Sequence, residues 1–154
     1  MNFLKIFFVI FLVTGCGKEE DPANIIKSIH IETDPLAMSL TDCGMVTIVG
    51  LNADGLETSS VEWDIGIAIS KMGGEGANWD KEPGKFYSDA TCQTEIAYNG
   101  VTGWAQQITM AEKQPSRVSV YYKPIYTGTT SIRFTFYNEH DDIPSITQAV
   151  TVTE

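Results

Sequence analysis

The stretch VEWDIGIAIS, residues 61–70, decides the fold class. Its apolar side chains occupy every second position: Val61, Trp63, Ile65, Ile67 and Ile69. Successive side chains of a β-strand point to opposite faces, so the alternation predicts a strand with one buried face and one solvent-facing side. A helix is disfavoured here, because its apolar positions recur every 3.6 residues.

The same alternation recurs on both sides of this stretch. Strand patterns occupy residues 28–33, 44–51, 93–100, 117–124, 131–138 and 146–154, and NADG at residues 52–55 supplies turn chemistry. Residues 71–90 are rich in glycine and indicate a long loop, with a short edge strand near Phe86 and Tyr87. Residues 103–113 come nearest to a helical pattern, enough for one or two turns, although Ile108 and Met110 also fit a strand. Seven or eight short strands with almost no helix predict an all-β, two-sheet sandwich.

Length and charge narrow the function classes. A chain of 154 residues suits one domain with a substantial core. The formal net charge is -10, from 10 basic and 20 acidic residues. Nucleic-acid binding is therefore not expected, because it requires a basic surface that releases counterions from phosphates. A solvated extracytoplasmic surface fits the acidity, and affinity for divalent cations is the alternative.

Residues 1–15, MNFLKIFFVIFLVTG, have the organisation of a secretory signal. Lys5 precedes the apolar run 6–13, and two small residues close the segment. The run is far shorter than the ~20 residues that span a bilayer as a helix, so a permanent transmembrane helix is not expected. The alternative is a buried core helix.

The segment VTGC, residues 13–16, resembles the lipobox of bacterial lipoproteins, although leucine is commoner where Val13 stands. The resemblance implies cleavage just before Cys16, a diacylglycerol on its thiol and a further fatty acid, such as palmitate, on its new amino group. Each buried methylene contributes ~0.8 kcal/mol to membrane binding, so two or three chains would hold a small domain on a membrane. The first partner implied is therefore the membrane itself.

The residues behind the cysteine carry a second resemblance. CGKEED, residues 16–21, is similar to the export signal of lipoproteins from Bacteroidetes-type bacteria, with a lysine and two acids after the cysteine. This implies a lipid-anchored location in the outer membrane, facing the cell exterior. The alternative is a plain solvated tether with an anchor that faces the periplasm. The predicted organisation is a signal peptide over residues 1–15, a lipidated tether over 16–27 and a sandwich over 28–154.

The C-terminal segment, residues 126–154, resembles the last two strands of bacterial immunoglobulin-like domains. A Gly-Thr turn leads into an alternating strand, and a loop returns to a final strand rich in valine and threonine. The resemblance implies an immunoglobulin-like β-sandwich. It implies no particular function, because this architecture carries many unrelated ones.

Cys43 and Cys92 form an even pair once lipid occupies Cys16. In an oxidising compartment such a pair predicts a disulfide, and a metal site built on two cysteines is the remote alternative. Immunoglobulin domains place their second cysteine on the penultimate strand, and Cys92 does not lie there. Either the bridge joins a loop to the edge of the sandwich, or the strand order is not that of an immunoglobulin domain.

Motifs for catalysis and cofactors are not found: the sequence contains no GxSxG, HExxH, P-loop or GxGxxG. We therefore expect neither an enzyme nor a cofactor. The most polar segment is NEHDD, residues 138–142, in the predicted loop between the last two strands. Glu139, Asp141 and Asp142 are candidate calcium ligands, and His140 a candidate ligand-binding residue. Plain solvation of the loop is the alternative.

Two tryptophans in predicted loops, Trp79 and Trp104, are the other candidates for ligand binding. An indole offers a large apolar face on which a sugar ring can stack, and it can equally hold a loop against the core. The sequence thus predicts a surface-anchored lipoprotein with a non-catalytic binding or structural module. A glycan- or protein-capturing accessory is the alternative, and a small glycan hydrolase using carboxylates is a third hypothesis.

Overall fold

The computed structural model describes residues 25–33, 36–61, 64–72, 83–98, 105–137 and 142–154. These residues contain nine strands. Their bounds are β1 Ser28–Ile31, β2 Leu36–Ser39, β3 Gly44–Leu51, β4 Ile65–Met72, β5 Gly84–Tyr87, β6 Ala105–Met110, β7 Arg117–Pro124, β8 Gly128–Tyr137 and β9 Ile146–Thr153. Within these ranges no helix has the length and apolar character needed to cross a bilayer.

The strands form two sheets. The four-stranded sheet has the order β1-β3-β7-β5, and the five-stranded sheet has the order β2-β9-β8-β4-β6. Every neighbouring pair is antiparallel except β2 and β9, which run parallel. The predicted all-β, two-sheet sandwich is confirmed, with one strand more than the seven or eight expected.

The strand order is that of an immunoglobulin-like sandwich, except that the two strands between β4 and β7 are placed in a different order. β1, β3, β7 and β5 take the positions of the A, B, E and D strands, and β9, β8 and β4 those of G, F and C. Between β4 and β7, however, the chain first adds β5 to the four-stranded sheet and then returns to place β6 beside β4. The last two strands, β8 and β9, pair directly, as the C-terminal resemblance implied.

The core lies between the sheets and follows the alternation of the sequence. Ile65, Ile67 and Ile69 of β4 are at most 2% exposed, which confirms the predicted inward face at these three positions, whereas Trp63 lies outside the described residues. Phe86 of β5 meets the aromatic ring of Tyr122 at a centroid distance of 5.1 Å and that of Phe134 at 6.4 Å. The short edge strand predicted near Phe86 therefore supplies a central core residue.

Two predictions about local structure are corrected. Residues 105–110 form β6 rather than helical turns, because their pairing with β4 places Met110 and Gln106 in the interior. Residues 93–98, predicted as part of a strand, make only isolated bridges, Tyr87↔Glu95 and Tyr98↔Gln106. The first bridge is to the four-stranded sheet and the second to the five-stranded sheet, so this segment crosses between the two.

A buried amide holds this crossing in place. Gln106 is fully buried, and its Nε2 donates hydrogen bonds to the carbonyl oxygens of Phe86 at 2.9 Å and Ile96 at 2.6 Å. The backbone N–H of Phe86 donates to Gln106 Oε1 at 2.8 Å. One side chain of the five-stranded sheet thereby closes the side of the sandwich against the four-stranded sheet.

The register defines two ends of the sandwich. At the near end β1 begins beside Leu51, and the connections β3–β4, β6–β7 and β8–β9 lie there. At the far end lie the connections β2–β3, β4–β5 and β7–β8, together with the start of β6. The chain therefore enters the sandwich at the near end.

Candidate functional site

Most residues singled out in the sequence lie outside the described residues: Cys16, Trp79, Trp104, Glu139, His140 and Asp141. Among the described strands, β4 ends and β5 and β6 begin at the far end, whereas β8 ends at the near end. Asp142 is described and is exposed.

No group of three histidine, cysteine or acidic side chains is arranged to hold a metal ion in the region of the chain that the structure describes. The calcium hypothesis for Glu139, Asp141 and Asp142 depends on residues beyond that region and stays a prediction. The cysteine hypothesis is decided, because Cys43 and Cys92 are joined to each other.

The predicted disulfide is confirmed. Cys43, directly before β3, bonds to Cys92 in the loop after β5, with the Cα atoms 6.0 Å apart. Cys92 is 7% exposed and has a φ of 50°, in the left-handed region that few non-glycine residues adopt. Both alternatives considered for this bridge hold: it joins a loop to the sandwich, and the order of the middle strands departs from the immunoglobulin pattern.

Asp89 organises the disulfide loop. Its carboxylate accepts hydrogen bonds from the backbone N–H groups of Thr91, Gln93 and Thr94, at 2.6 to 3.3 Å, and from the Thr91 hydroxyl. The Thr91 hydroxyl is the main cause of a strongly lowered pKa at Asp89, followed by the Thr94 N–H group. Three backbone amides gathered on one carboxylate fix the turn that presents Cys92.

The outer face of the four-stranded sheet differs between its two ends. At the near end, Arg117 forms paired hydrogen bonds with Glu32, at 2.7 and 2.8 Å, and with Glu57, at 2.8 and 3.0 Å. The Arg117 hydrogen bonds lower the pKa of both carboxyl groups. Val49, the cross-strand partner of Arg117, is only 3% exposed although it points outward. This half of the face is covered and its charges are compensated.

Toward the far end the same face is open. Met45, Tyr121 and Tyr87 form a cross-strand row on β3, β7 and β5, and Lys123 faces Lys85 in the next row. Met45 is 47% exposed, both tyrosines are half-buried, and Ile125 follows at the end of β7 with 42% exposure. We call this surface the tyrosine–lysine patch; it comprises Met45, Lys85, Tyr87, Tyr121, Lys123 and Ile125.

The lysines of the patch differ in their partners. Lys85 forms an ion pair with Glu95 at 2.8 Å. Lys123 is exposed and has no ion-pair partner among the described residues. Among the described residues the patch therefore presents a cation without an ion-pair partner beside two aromatic rings, on a protein whose acidic residues outnumber its basic ones by two to one.

Sequence reasoning missed this patch, although its signal was present in RVSVYYKP. The alternation of β7 placed Tyr121 and Lys123 on the solvent-facing side, where an aromatic residue is unusual. The pattern could not show which residues of other strands are the cross-strand neighbours of Tyr121. Tyr87 and Met45 lie 34 and 76 residues away in the chain from Tyr121, and only the register of β5, β7 and β3 brings them into its row.

Comparison with known proteins adds no family. No family model matches the chain, and no curated protein is significantly similar to it. Among solved structures it is similar to S-layer protein SbsC domains 4 and 5, with a TM-score of 0.48 and 10% identity over 84% of this chain and 53% of that one. The chain thus spans about half of that structure.

Two further solved structures are similar to the chain. The apo form of the Calx CBD1 domain gives a TM-score of 0.48 and 9% identity, over 82% of this chain and 99% of that one. The human F-spondin reeler domain gives 0.44 and 14% identity, over 84% and 95% of the two chains. At such identities a likeness does not extend to function.

Proposed function

We propose that this protein is a lipid-anchored outer-membrane lipoprotein whose β-sandwich acts as a non-catalytic binding module at the cell exterior. The anchor is assigned to Cys16, on the resemblance of VTGC to a lipobox and of CGKEED to an export signal. The disulfide between Cys43 and Cys92 supports an oxidising compartment, where such bonds persist.

The polarity of the sandwich is the observation that carries the proposal. The chain enters at the near end, from the side of Cys16, and the tyrosine–lysine patch lies toward the far end of the same sheet. Leu51 lies six residue steps along β3 from Met45, a distance of about 20 Å. A module held by its N-terminal tether would thus carry its open surface away from the point where the tether joins the sandwich.

The anchor is tested by metabolic labelling with a clickable fatty acid. The full chain should label and sediment with membranes, and Cys16→Ala should lose both properties. The matched control is the double variant Cys43→Ala/Cys92→Ala, which should still label because its thiols are not the acylated ones. Labelling of Cys16→Ala would refute the assignment.

Display at the exterior is tested on intact cells with an antibody to the domain and with added protease. The full chain should be accessible to both. Replacing Lys18, Glu19 and Glu20 by alanine should keep the lipid but remove accessibility, because the proposed export signal is lost. An inaccessible wild-type protein would place the anchor on the periplasmic side.

The non-catalytic assignment has its own test. The protein should release no reducing ends from a panel of polysaccharides. Release that is abolished by Asp141→Ala or Asp142→Ala would instead establish a glycan hydrolase.

A second candidate, capture of an extracellular glycan or protein, is favoured by the tyrosine–lysine patch. The role of the tryptophans is checked by intrinsic fluorescence: a shift on adding a polysaccharide that Trp104→Ala removes, while Trp79→Ala does not, would assign the contact to Trp104. A purely structural module would show no shift with any polysaccharide.

A further inference from the structure

We propose that the tyrosine–lysine patch binds a polysaccharide that carries sparse carboxylate groups, such as a partly esterified uronic-acid chain. This rests on the proposed role of the domain as a surface binding module and adds the chemical class of its ligand. The contact surface is the row Met45–Tyr121–Tyr87, and the anion partner is Lys123.

The shape of the patch suits an extended sugar chain. Neighbouring strands lie about 4.8 Å apart, so the three side chains of the row span about 10 Å on the outer face of a sheet. Tyrosine combines an apolar ring with a polar tip, and such a side chain can pack against the C–H face of a sugar while its hydroxyl stays hydrated. A row of this kind favours a flat, elongated ligand over a small molecule, which would need a concave pocket.

The charged side chains of the patch favour glycans that carry carboxylate groups. Lys123 is exposed and has no ion-pair partner among the described residues, whereas Arg117 at the other end of the same strand is satisfied by two carboxylates. Lys85 lies directly opposite Lys123 and is paired with Glu95. Lys123 is therefore the cation offered to a ligand, and a ligand carboxylate is its natural complement.

The charge of the whole chain limits the density of negative charge on the ligand. A net charge of -10 repels a closely spaced polyanion, whose binding needs many cations to displace its counterions. A sugar chain with separated carboxylates can place one of them at Lys123 and rest its uncharged ring faces on the tyrosines. The ligand class is thus an acidic polysaccharide rather than nucleic acid.

Binding is measured with the full-length chain in detergent micelles and paired probes. Partly methyl-esterified galacturonan oligomers and hyaluronan oligomers, in which uncharged sugars separate the carboxylates, are each compared with their fully esterified forms, which keep the sugar backbone and lose the charge. We expect at least one acidic form to bind, with its ester weaker by up to about fivefold, since an exposed ion pair contributes at most about that factor.

Substitutions locate the site. Lys123→Gln should reduce the affinity for the acidic form to that for its ester and leave the affinity for the ester unchanged. Tyr121→Ala should weaken both forms, by about tenfold, because it removes an aromatic contact. The matched controls are Lys113→Gln and Tyr137→Ala, an exposed lysine at the near end and an exposed tyrosine on the five-stranded sheet, which should not change binding. Thermal unfolding of each variant verifies that it is folded.

Several outcomes would overturn the proposal. Equal affinities for the acid and its ester would show that Lys123 does not bind a ligand carboxylate. If none of the four probes bound, the proposed ligand class would be wrong. Affinities unchanged in folded Tyr121→Ala and Lys123→Gln would place the site elsewhere. A dimer that Tyr121→Ala dissociates, without glycan binding, would assign the patch to self-association. Fatty-acid labelling and surface accessibility are measured without glycan, so a failure of the ligand class is distinguishable from a failure of the anchoring and display in the proposed function.

Discussion

Gln106 shows how one polar residue can determine how the sandwich closes. Its amide pairs with the Phe86 N–H and the Ile96 carbonyl, and it shares the Phe86 carbonyl with the Ile96 N–H, where the chain passes from β5 to β6. A buried amide stabilises only when its donors and acceptors are matched, and leaving such backbone groups without partners is costly.

The first prediction follows from this arrangement. Gln106→Ala should lower the free energy of unfolding by about 2–4 kcal/mol, because the Phe86 N–H and the Ile96 carbonyl lose the side chain that pairs with them in the interior. Urea unfolding measures the change. The neighbouring exposed Gln107→Ala should change stability by less than about 0.5 kcal/mol. Equal effects of the two substitutions would show that the hydrogen bonds of Gln106 contribute nothing specific.

Asp89 provides the second prediction, on pH. Its pKa is lowered in the folded state, so its ionised form stabilises the protein above the ordinary aspartate pKa of about 4, and that contribution is lost as pH falls toward the folded-state pKa. Asp89→Asn should therefore lose less stability than wild type between about pH 5 and about pH 2. Urea midpoints across this range are the measurement, and parallel curves for the two proteins would contradict the assignment. Glu32 and Glu57 also have lowered pKa values, but both proteins retain them.

At the scale of strands, the alternation of apolar and polar residues predicted where a strand lies and which of its side chains face the core, wherever one face of the strand is buried. The bounds of β3, β7 and β9 agree with the prediction to within one residue. Val120 and Val150 alternate with solvent-facing neighbours, and Val46 lies in a central strand. β6 was ambiguous, because its inward residues are Gln106, Ile108 and Met110, and a buried glutamine does not register as apolar. Its partners, the backbone groups of Phe86 and Ile96, are distant in sequence and invisible to a local pattern.

The candidate site was less predictable than the strands. Alternation identifies which residues of a strand face solvent, as it did for Tyr121 and Lys123, but not which residues of other strands stand beside them. The chain reaches β5 through a long connection and then crosses sheets twice before β7. No local signal encodes that the short edge strand carrying Tyr87 pairs with β7. The disulfide, by contrast, followed from cysteine count and compartment alone.

The disulfide gives the third prediction. It links the start of β3 to the β5 loop across a sequence separation of 49 residues. Because a cross-link restricts the unfolded chain, Cys43→Ala/Cys92→Ala should lower the free energy of unfolding by about 4 kcal/mol on the chain-entropy model. Denaturant midpoints with and without a reducing agent measure this. Reduced wild type should resemble the double variant, and a reducing agent should not change the variant.

For the whole molecule, the excess of negative charge is the dominant electrostatic feature. Twenty acidic residues outnumber 10 basic ones, and Arg117 offsets one of the two negative charges on the carboxylates that it binds. The remaining acids repel one another across a small domain, and this repulsion is relieved when the chain unfolds.

The fourth prediction is therefore that salt stabilises the fold near neutral pH. The Debye length shrinks from about 30 Å at 0.01 M to about 8 Å at 0.15 M salt, which screens the long-range repulsion more than the short contacts of Arg117. The midpoint of thermal unfolding should rise over that range. Arg117→Met should show the larger rise, because Glu32 and Glu57 are then uncompensated. A midpoint that falls with salt would show that attractive pairs dominate.

The register of β1 against β3 also has a mechanical consequence. β1 begins at the near end and runs toward the far end, and its hydrogen bonds to β3 lie perpendicular to the strands. Suppose that residue 25 is pulled away from the near end while the patch is held in place. The force then acts along the axis of β1. All the β1–β3 bonds then bear the load together in shear, and none can open before its neighbours. A domain loaded between its N-terminal tether and its far end would resist extraction of its first strand far better than one loaded from the side, where the bonds would break in succession.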